Sequence, residues 1–184
     1  MRQRKITTKM ICFSALSIAL ATVSANFIKT PSLPFGGSAT FFSMLFVALP
    51  GFWYGPYVGL IAALAHGIIQ FISNPYFIHP VQVLFDYILA FGCLGLSGFF
   101  MNKKRGLITG YTVGVLGRFI CVCISGVIFY TSYIGVPKAD VLAILASIGY
   151  NLTYILPEYI ITIVLLFLPP VSKALKYVKR IATS

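Results

Sequence analysis

The sequence predicts an all-α integral membrane protein, with six transmembrane helices in one bundle and both termini cytoplasmic. Three observations predict it. The 184 residues are 59% hydrophobic and only 9% charged, against about 25% charged in soluble domains. Mean hydropathy is +0.94, so the chain lacks the polar residues to cover itself in water. Its apolar residues fall in runs near the roughly 20 residues that a membrane helix needs, and its basic residues flank those runs.

The spans follow in order. Arg2, Arg4, Lys5 and Lys9 precede the first, at 9–28. That start looks like a signal peptide, but the apolar run is about 19 residues, longer than the 7–15 of a signal core. KTPSLPFGGS (29–38) is a loop, because its prolines and glycines break a helix. The second and third spans, 39–55 and 57–73, are short. PGFWYGP (50–56) joins them, and its prolines, glycines and Trp53–Tyr54 pair predict a tight interfacial turn. The fourth, fifth and sixth spans are 80–101, 107–132 and 141–169. No linker, repeat or low-complexity segment divides the chain, so 1–184 is read as one six-helix domain.

Charge gives the orientation. With the N-terminus inside, eleven basic residues lie on the cytoplasmic side. They are those four, Lys103, Lys104, Arg105 and the tail set Lys173, Lys176, Lys179 and Arg180. Only Lys29 and Lys138 lie outside, and Arg118 is within a span. This asymmetry places both termini inside and requires an even number of spans. It also accounts for the net charge of +11 without a nucleic-acid partner. The outer loops 29–38, 73–79 and about 132–140 are rich in Pro, Gly and aromatics, and suit a lid over a pocket.

Several functions are excluded. No glycine-rich nucleotide loop is present, so ATP is not bound here. No acid cluster or metal spacing exists, and no cofactor or enzymatic activity is expected. Cys12, Cys93, Cys121 and Cys123 lie in apolar runs and read as small buried hydrophobes. Uphill transport would need energy from a partner or an ion gradient.

The three acids are Asp86, Asp140 and Glu158. An acid inside a span is costly, so it is a functional candidate by default. Asp140 is in a loop. Glu158 follows Pro157 and is either a bundle-interior group or a neighbour of a kink. Asp86 has three readings: an ion pair with Arg118, a wet position near the outer interface, or the counter-ion of a cationic solute. On a regular helix His79, Gln82, Val83, Asp86 and Tyr87 share one face, a partly polar stripe in the outer half of the span. Tyr150 and Asn151 lie at a comparable depth. Asn151 is either a ligand contact or a bond between helices, and His66 either a ligand contact or a hydrogen-bonded interior residue. Ala15 and Ala19 make a small-xxx-small pair on the first span, for packing in this bundle or docking to a separate subunit.

PVQVLFDYILAFGCLGLSGFF (80–100), GRFICVCISGVIFY (117–130) and YNLTYILPEYIIT (150–162) resemble the thiamin-specific S-components of energy-coupling factor transporters, and FGGSATFFSMLFVAL (35–49) is similar to their first outer loop and second span. The resemblance implies a membrane subunit that captures thiamin or a related cationic vitamin from outside. It implies a transmembrane coupling subunit and two ATPases as partners, docked through Ala15 and Ala19. It puts the acidic substrate contact at Asp86 beside Tyr87, and an amide contact at Asn151. The family's pocket histidine and tryptophan are replaced here by Val122 and Tyr130. His66 stands where some members have tryptophan, and Ala146 where a tyrosine is expected. Tyr130 and Tyr87 remain as aromatic faces for a cation. Gln82, Tyr150 and His66 complete the expected site, and the location implied is the bacterial cytoplasmic membrane. Other readings are an S-component for a different small vitamin and a structural membrane protein.

Overall fold

In the computed structural model the described residues are 6–33, 37–134 and 141–184, those of 130–134 by backbone alone. Among them every regular element is helical; one bridge pairs Lys29 with Thr40. The helices are α1 (Thr8–Phe27), α2 (Ser43–Tyr54), α3 (Pro56–Ser73), α4 (Pro80–Phe100), α5 (Gly106–Ile134), α6 (Val141–Phe167) and α7 (Pro169–Thr183). Five of these, α1, α3, α4, α5 and α6, are long and apolar enough to cross a membrane. Their outward faces carry large apolar residues such as Leu16, Ile72, Leu116 and Val164, which lipid rather than water can cover.

α2 departs from the expected span. It has 12 residues, about 18 Å of helix, too short for a bilayer core of about 30 Å. Its C-terminal end corrects the predicted turn. PGFWY is helical, and the reversal is made by Gly55 alone at φ 98°, a conformation open to glycine at no steric cost. Trp53, expected in an interfacial turn, is instead buried, its ring edge-on to Phe13 at 6.2 Å. Pro50 sits inside the helix and cannot donate to the carbonyl of Phe46. Ser17 of α1 supplies the missing donor, with Oγ 2.7 Å from that oxygen. A proline that reads as a breaker is thus tolerated by a hydroxyl from the neighbouring helix.

α4 is not uniform. Leu84–Leu89 is a π-helical stretch and Cys93–Phe100 is a 3-10 helix. The 3-10 repeat of three residues per turn puts Gly92, Gly95 and Gly98 on one edge. That edge runs down α3. A Cβ on Gly92 would meet Leu64, one on Gly95 would stand 2.7 Å from the Gly59 carbonyl, and one on Gly98 would strike Gly55 and Pro56. At Gly95 and Gly98 the two backbones touch, because α4 carries no side chain at those positions.

Glu158 proves to be a bundle-interior group, next to Pro157 in a helix that runs unbroken from Val141 to Phe167. It is 3% exposed on α6, and its carboxylate caps α2. Oε1 accepts from the Met44 amide at 2.9 Å and from Ser43 Oγ at 3.1 Å, while Oε2 accepts from Thr40 Oγ1. A negative group at a helix N-terminus satisfies its free N–H groups and its dipole.

Beyond α6 the sequence reads only as a basic tail, but residues 169–183 form a further helix. Leu168 is extended at φ −68° and ψ 127°, which turns the chain out of α6. The cysteines are less buried than expected: Cys12 is exposed on α1 and the others are half-buried. The outer loop expected at about 132–140 is helical up to Ile134; residues 135–140 lie outside the described set.

Candidate functional site

The shortness of α2 creates the site. Tyr54, at its C-terminal end, contacts α7, with the hydroxyl donating to the Ala182 carbonyl at 3.2 Å. Its N-terminus stops within the bundle. There a cavity of about 600 Å³ opens among α3, α4, α5, α6 and the segment before α2. Such a volume suits a small organic molecule.

The roof is the loop predicted from KTPSLPFGGS. It doubles back on itself: Thr30 N donates to Ala39 O at 2.8 Å and Leu33 N to Gly37 O at 2.6 Å. Gly37 N also donates to Tyr150 Oη at 2.8 Å, which ties the loop to α6. Lys29, Ser32 and Leu33 line the cavity from this side. Residues 34–36 are outside the described set.

α4 supplies Gln82, Asp86 and Tyr87. Asp86 and Tyr87 lie in the π-helical stretch, a distortion frequent at functional sites. Asp86 takes side-chain hydrogen bonds from Ser125 and Gln82 and lies within the field of Arg118. Gln82 Oε1 also accepts from the Ile78 amide at 2.9 Å. The Tyr87 hydroxyl donates to Asn74 O at 2.9 Å and accepts from Tyr76 N at 3.1 Å, so it anchors the loop after α3. Its ring packs edge-on to Phe71 at 5.3 Å. His79 and Val83, on the same face of an ideal helix, do not line the cavity. His79 instead caps α4 through Val81 N and stacks on Phe129 at 5.8 Å.

α5 contributes Arg118, Val122, Ser125 and Gly126 at helical spacing. The predicted alternative of an Asp86–Arg118 ion pair is not formed: Arg118 lies over the Phe91 ring at 4.1 Å. Its Nε and Nη1 are buried and have no hydrogen-bond partner among the described residues. Gln70 Oε1, also at the cavity, is likewise unpaired. The cavity is therefore lined by a carboxylate that is not ion-paired, with Arg118 and Gln70 beside it, and the carboxylate is the group suited to a cationic heterocycle.

α6 contributes Ser147, Tyr150, Asn151 and Tyr154. Asn151 Nδ2 donates to Ser147 O at 2.9 Å, and its Oδ1 accepts from Tyr154 Oη. A second, longer approach reaches the Val122 carbonyl of α5 at 3.5 Å. The amide thus faces the cavity and joins helices at once.

One expected site residue stands apart. His66 does not reach the cavity: it is fully buried behind Phe91, ring centroids 4.9 Å apart, with Nδ1 3.5 Å from Thr22 Oγ1. Phe91, not His66, forms the wall. The side chain of Tyr130 lies outside the described residues. Ala15 and Ala19 are exposed on the outer face of α1, remote from the cavity. The sequence reading missed Tyr154 and Ser125 as lining residues, although each was signalled: Tyr154 follows Tyr150 by four, and Ser125 follows Arg118 by seven.

Comparison with known proteins bears on the family and the fold. A family model described as thiamine transporter protein matches residues 11–178. The thiamine transporter ThiT of Bacillus subtilis is 34% identical over 185 residues, covering 91% of this chain and 93% of that protein. A solved structure of ThiT from Listeria monocytogenes matches with a TM-score of 0.59 and 22% identity, over 88% of this chain and 93% of that one, a likeness of fold. Family and fold together answer what the composition and the cavity left open: the chain belongs to the thiamine transporter protein family.

Proposed function

We propose that this protein is the substrate-binding membrane subunit of an ATP-driven vitamin uptake system, and that it captures thiamin from outside the cell. The observation that carries the proposal is the cavity itself, with Asp86 facing it and not ion-paired to Arg118. A partly desolvated carboxylate favours a cation and disfavours neutral or anionic solutes. In this reading Asp86 neutralises the thiazolium. Tyr87 and Tyr130 pack against the rings. Asn151 and Gln82 meet the polar edge of the pyrimidine, Tyr150 holds the roof, and His66 supports Phe91 from behind.

As a member of a transporter family with several apolar spans, the chain is a multi-pass protein of the bacterial cytoplasmic membrane and a transport protein rather than an enzyme. The finer topology belongs to the proposal. It is one domain over 1–184, with α2 as a sixth, partial span and both termini cytoplasmic. Among the described residues, Lys9, Lys103, Lys104, Arg105, Lys173, Lys176, Lys179 and Arg180 gather at the α7 end, against Lys29 at the roof, and support that orientation. The energy comes from partners, a transmembrane coupling subunit and two ATPases. Exposed Ala15 and Ala19 leave the outer face of α1 smooth enough for close helix approach.

The test is calorimetric titration of the purified protein with thiamin and with a neutral analogue lacking the ring charge. Thiamin should bind, and Asp86→Asn should weaken it at least about tenfold, roughly 1.4 kcal/mol, while the melting temperature is held. Equal affinity for the neutral analogue, or unchanged binding by Asp86→Asn, would remove the counter-ion role. Replacing Ala15 and Ala19 with leucine should abolish co-purification of the ATPases and leave thiamin binding intact.

A further inference from the structure

The helix α7 lies far from the cavity and has no part in holding a solute. Its inner face is apolar. Leu175 and Val178 pack on the core, and Ala182 is 3% exposed. Its bonds reach three other elements: Tyr54 Oη to Ala182 O at 3.2 Å, Lys179 Nζ to Met101 O at 2.8 Å, and Lys9 Nζ to Ser184 Oγ at 3.1 Å. These partners end α2, follow α4 and start α1. The helix therefore lies across one end of the bundle and does not continue α6 outward. Lys179 Nζ also sits 3.7 Å from the Phe52 ring centroid, and burial pushes its ammonium below the usual lysine value.

The outer face of α7 is different. Lys173, Lys176, Tyr177 and Arg180 are exposed at i, i+3, i+4 and i+7, one stripe along the helix. Arg180 leans over Tyr177 at 5.3 Å. Lys103, Lys104 and Arg105, also exposed, follow α4 beside Met101 at the same end. No acid balances them: the chain's three acids are Asp86, Asp140 and Glu158, none on α7 or in the 101–105 turn. Among the described residues no ion pair engages this stripe.

A helix across the end of a membrane bundle lies at headgroup depth. An unpaired basic stripe at that depth is complementary to anionic headgroups. We propose that α7 and the 101–105 turn form a binding surface for anionic phospholipid, with Lys173, Lys176 and Arg180 contacting the phosphates. Tyr177 lies at the interface between headgroup and acyl chain, where an amphipathic ring is favoured. α7 thereby fixes the depth of the end of the bundle from which α1, α2, α4 and α6 all emerge. The proposal does not depend on which side of the membrane that end faces.

The experiment is native mass spectrometry of the purified full chain, titrated in detergent with dioleoylphosphatidylglycerol or dioleoylphosphatidylcholine. The parent protein should retain phosphatidylglycerol in preference to phosphatidylcholine. The triple variant K173Q/K176Q/R180Q should lose that preference by about tenfold or more, since each basic residue near an anionic surface is worth about fivefold. K103Q/K104Q/R105Q should lose part of it. Unchanged thiamin binding and melting temperature in phosphatidylcholine show that the variants are folded. Equal retention of both lipids by the parent would overturn the proposal. So would a triple variant that keeps phosphatidylglycerol but no longer co-purifies ATPase subunits, because the stripe would then serve an acidic protein surface.

Discussion

The two halves of α4 differ in kind of helix and in what they face. Leu84–Leu89 is wide and π-helical, and it turns Asp86 and Tyr87 toward the cavity. Cys93–Phe100 is narrow and 3-10 helical, and its glycine edge lies directly on the α3 backbone. One apolar segment of 21 residues thus holds both a binding surface and a rigid seam. The wide half touches the α3 backbone at Gly67, where a Cβ would strike the Tyr87 carbonyl, and also faces a cavity and a loop. The narrow half meets α3 backbone to backbone at both Gly95 and Gly98. Binding and stability can therefore be perturbed separately within a single span.

The sharpest way to break that contrast is Gly95→Leu. A side chain there meets the Gly59 carbonyl and Leu60 Cα at 2.7 Å, and backbone cannot swing away as a flexible side chain can. Overpacking typically costs about 1–3 kcal/mol, and a side chain opposed by backbone falls at or above the top of that range. The variant should give no monodisperse peak by gel filtration in detergent. Leu84→Ala, at an exposed position in the wide half, should melt close to the parent. Similar melting for the two would mean that the seam is not tight.

Glu158→Leu comes next. It strands the Met44 amide and leaves the Ser43 and Thr40 hydroxyls only their bond to each other at 2.7 Å, with one donor unused. Each buried unsatisfied donor costs about 1–3 kcal/mol. The loss should appear as a large fall in melting temperature, with Glu158→Gln falling less because its carbonyl still accepts. A fall equal for both would show that the charge, through the dipole of α2, matters more than the hydrogen bonds.

These residues also show how much the sequence made legible. The spans were readable because length and apolarity alone decide them, and α1, α3, α4, α5 and α6 lie within a few residues of their expected bounds. Asp86, Gln82, Tyr87, Tyr150 and Asn151 were readable because polar groups in a span are rare, and all five line the cavity. His66 passed the same filter and yet stands behind Phe91, because burial cost does not tell a wall from what backs it. The glycine spacing of three was visible at Gly92, Gly95 and Gly98, but only a 3-10 helix gives it meaning. The cap made by Glu158 joins residues 114 positions apart, which no local pattern encodes. α7 was hidden by its charge: a basic run reads as tail until the apolar stripe through Leu175, Val178 and Ala182 is seen to have a surface to cover.

A smaller effect tests the seam between α1 and α2. Ser17→Ala removes the donor to Phe46 O, the carbonyl that Pro50 leaves unpaired. The expected cost is about 1–2 kcal/mol, read as a lowered melting temperature. The double variant Ser17→Ala with Pro50→Ala should recover part of it, because the restored amide can take the carbonyl within α2. No recovery would mean that Ser17 acts through packing alone.

The smallest effect lies in the wide half. Tyr87→Phe keeps the ring against Phe71 and deletes the hydroxyl that holds Asn74 O and Tyr76 N. Those loop groups are exposed, so water replaces the lost partner and the fold should lose well under about 1 kcal/mol. The loop after α3 would nonetheless be less firmly tied to the helix that carries Asp86. The expected signature is kinetic: thiamin should leave a few-fold faster in stopped-flow displacement, with association and melting temperature unchanged. An unchanged dissociation rate would assign Tyr87 to ring packing alone, whereas a lowered melting temperature would erase the distinction between the two halves of α4, since the wide half would then be contributing to stability as the glycine seam does.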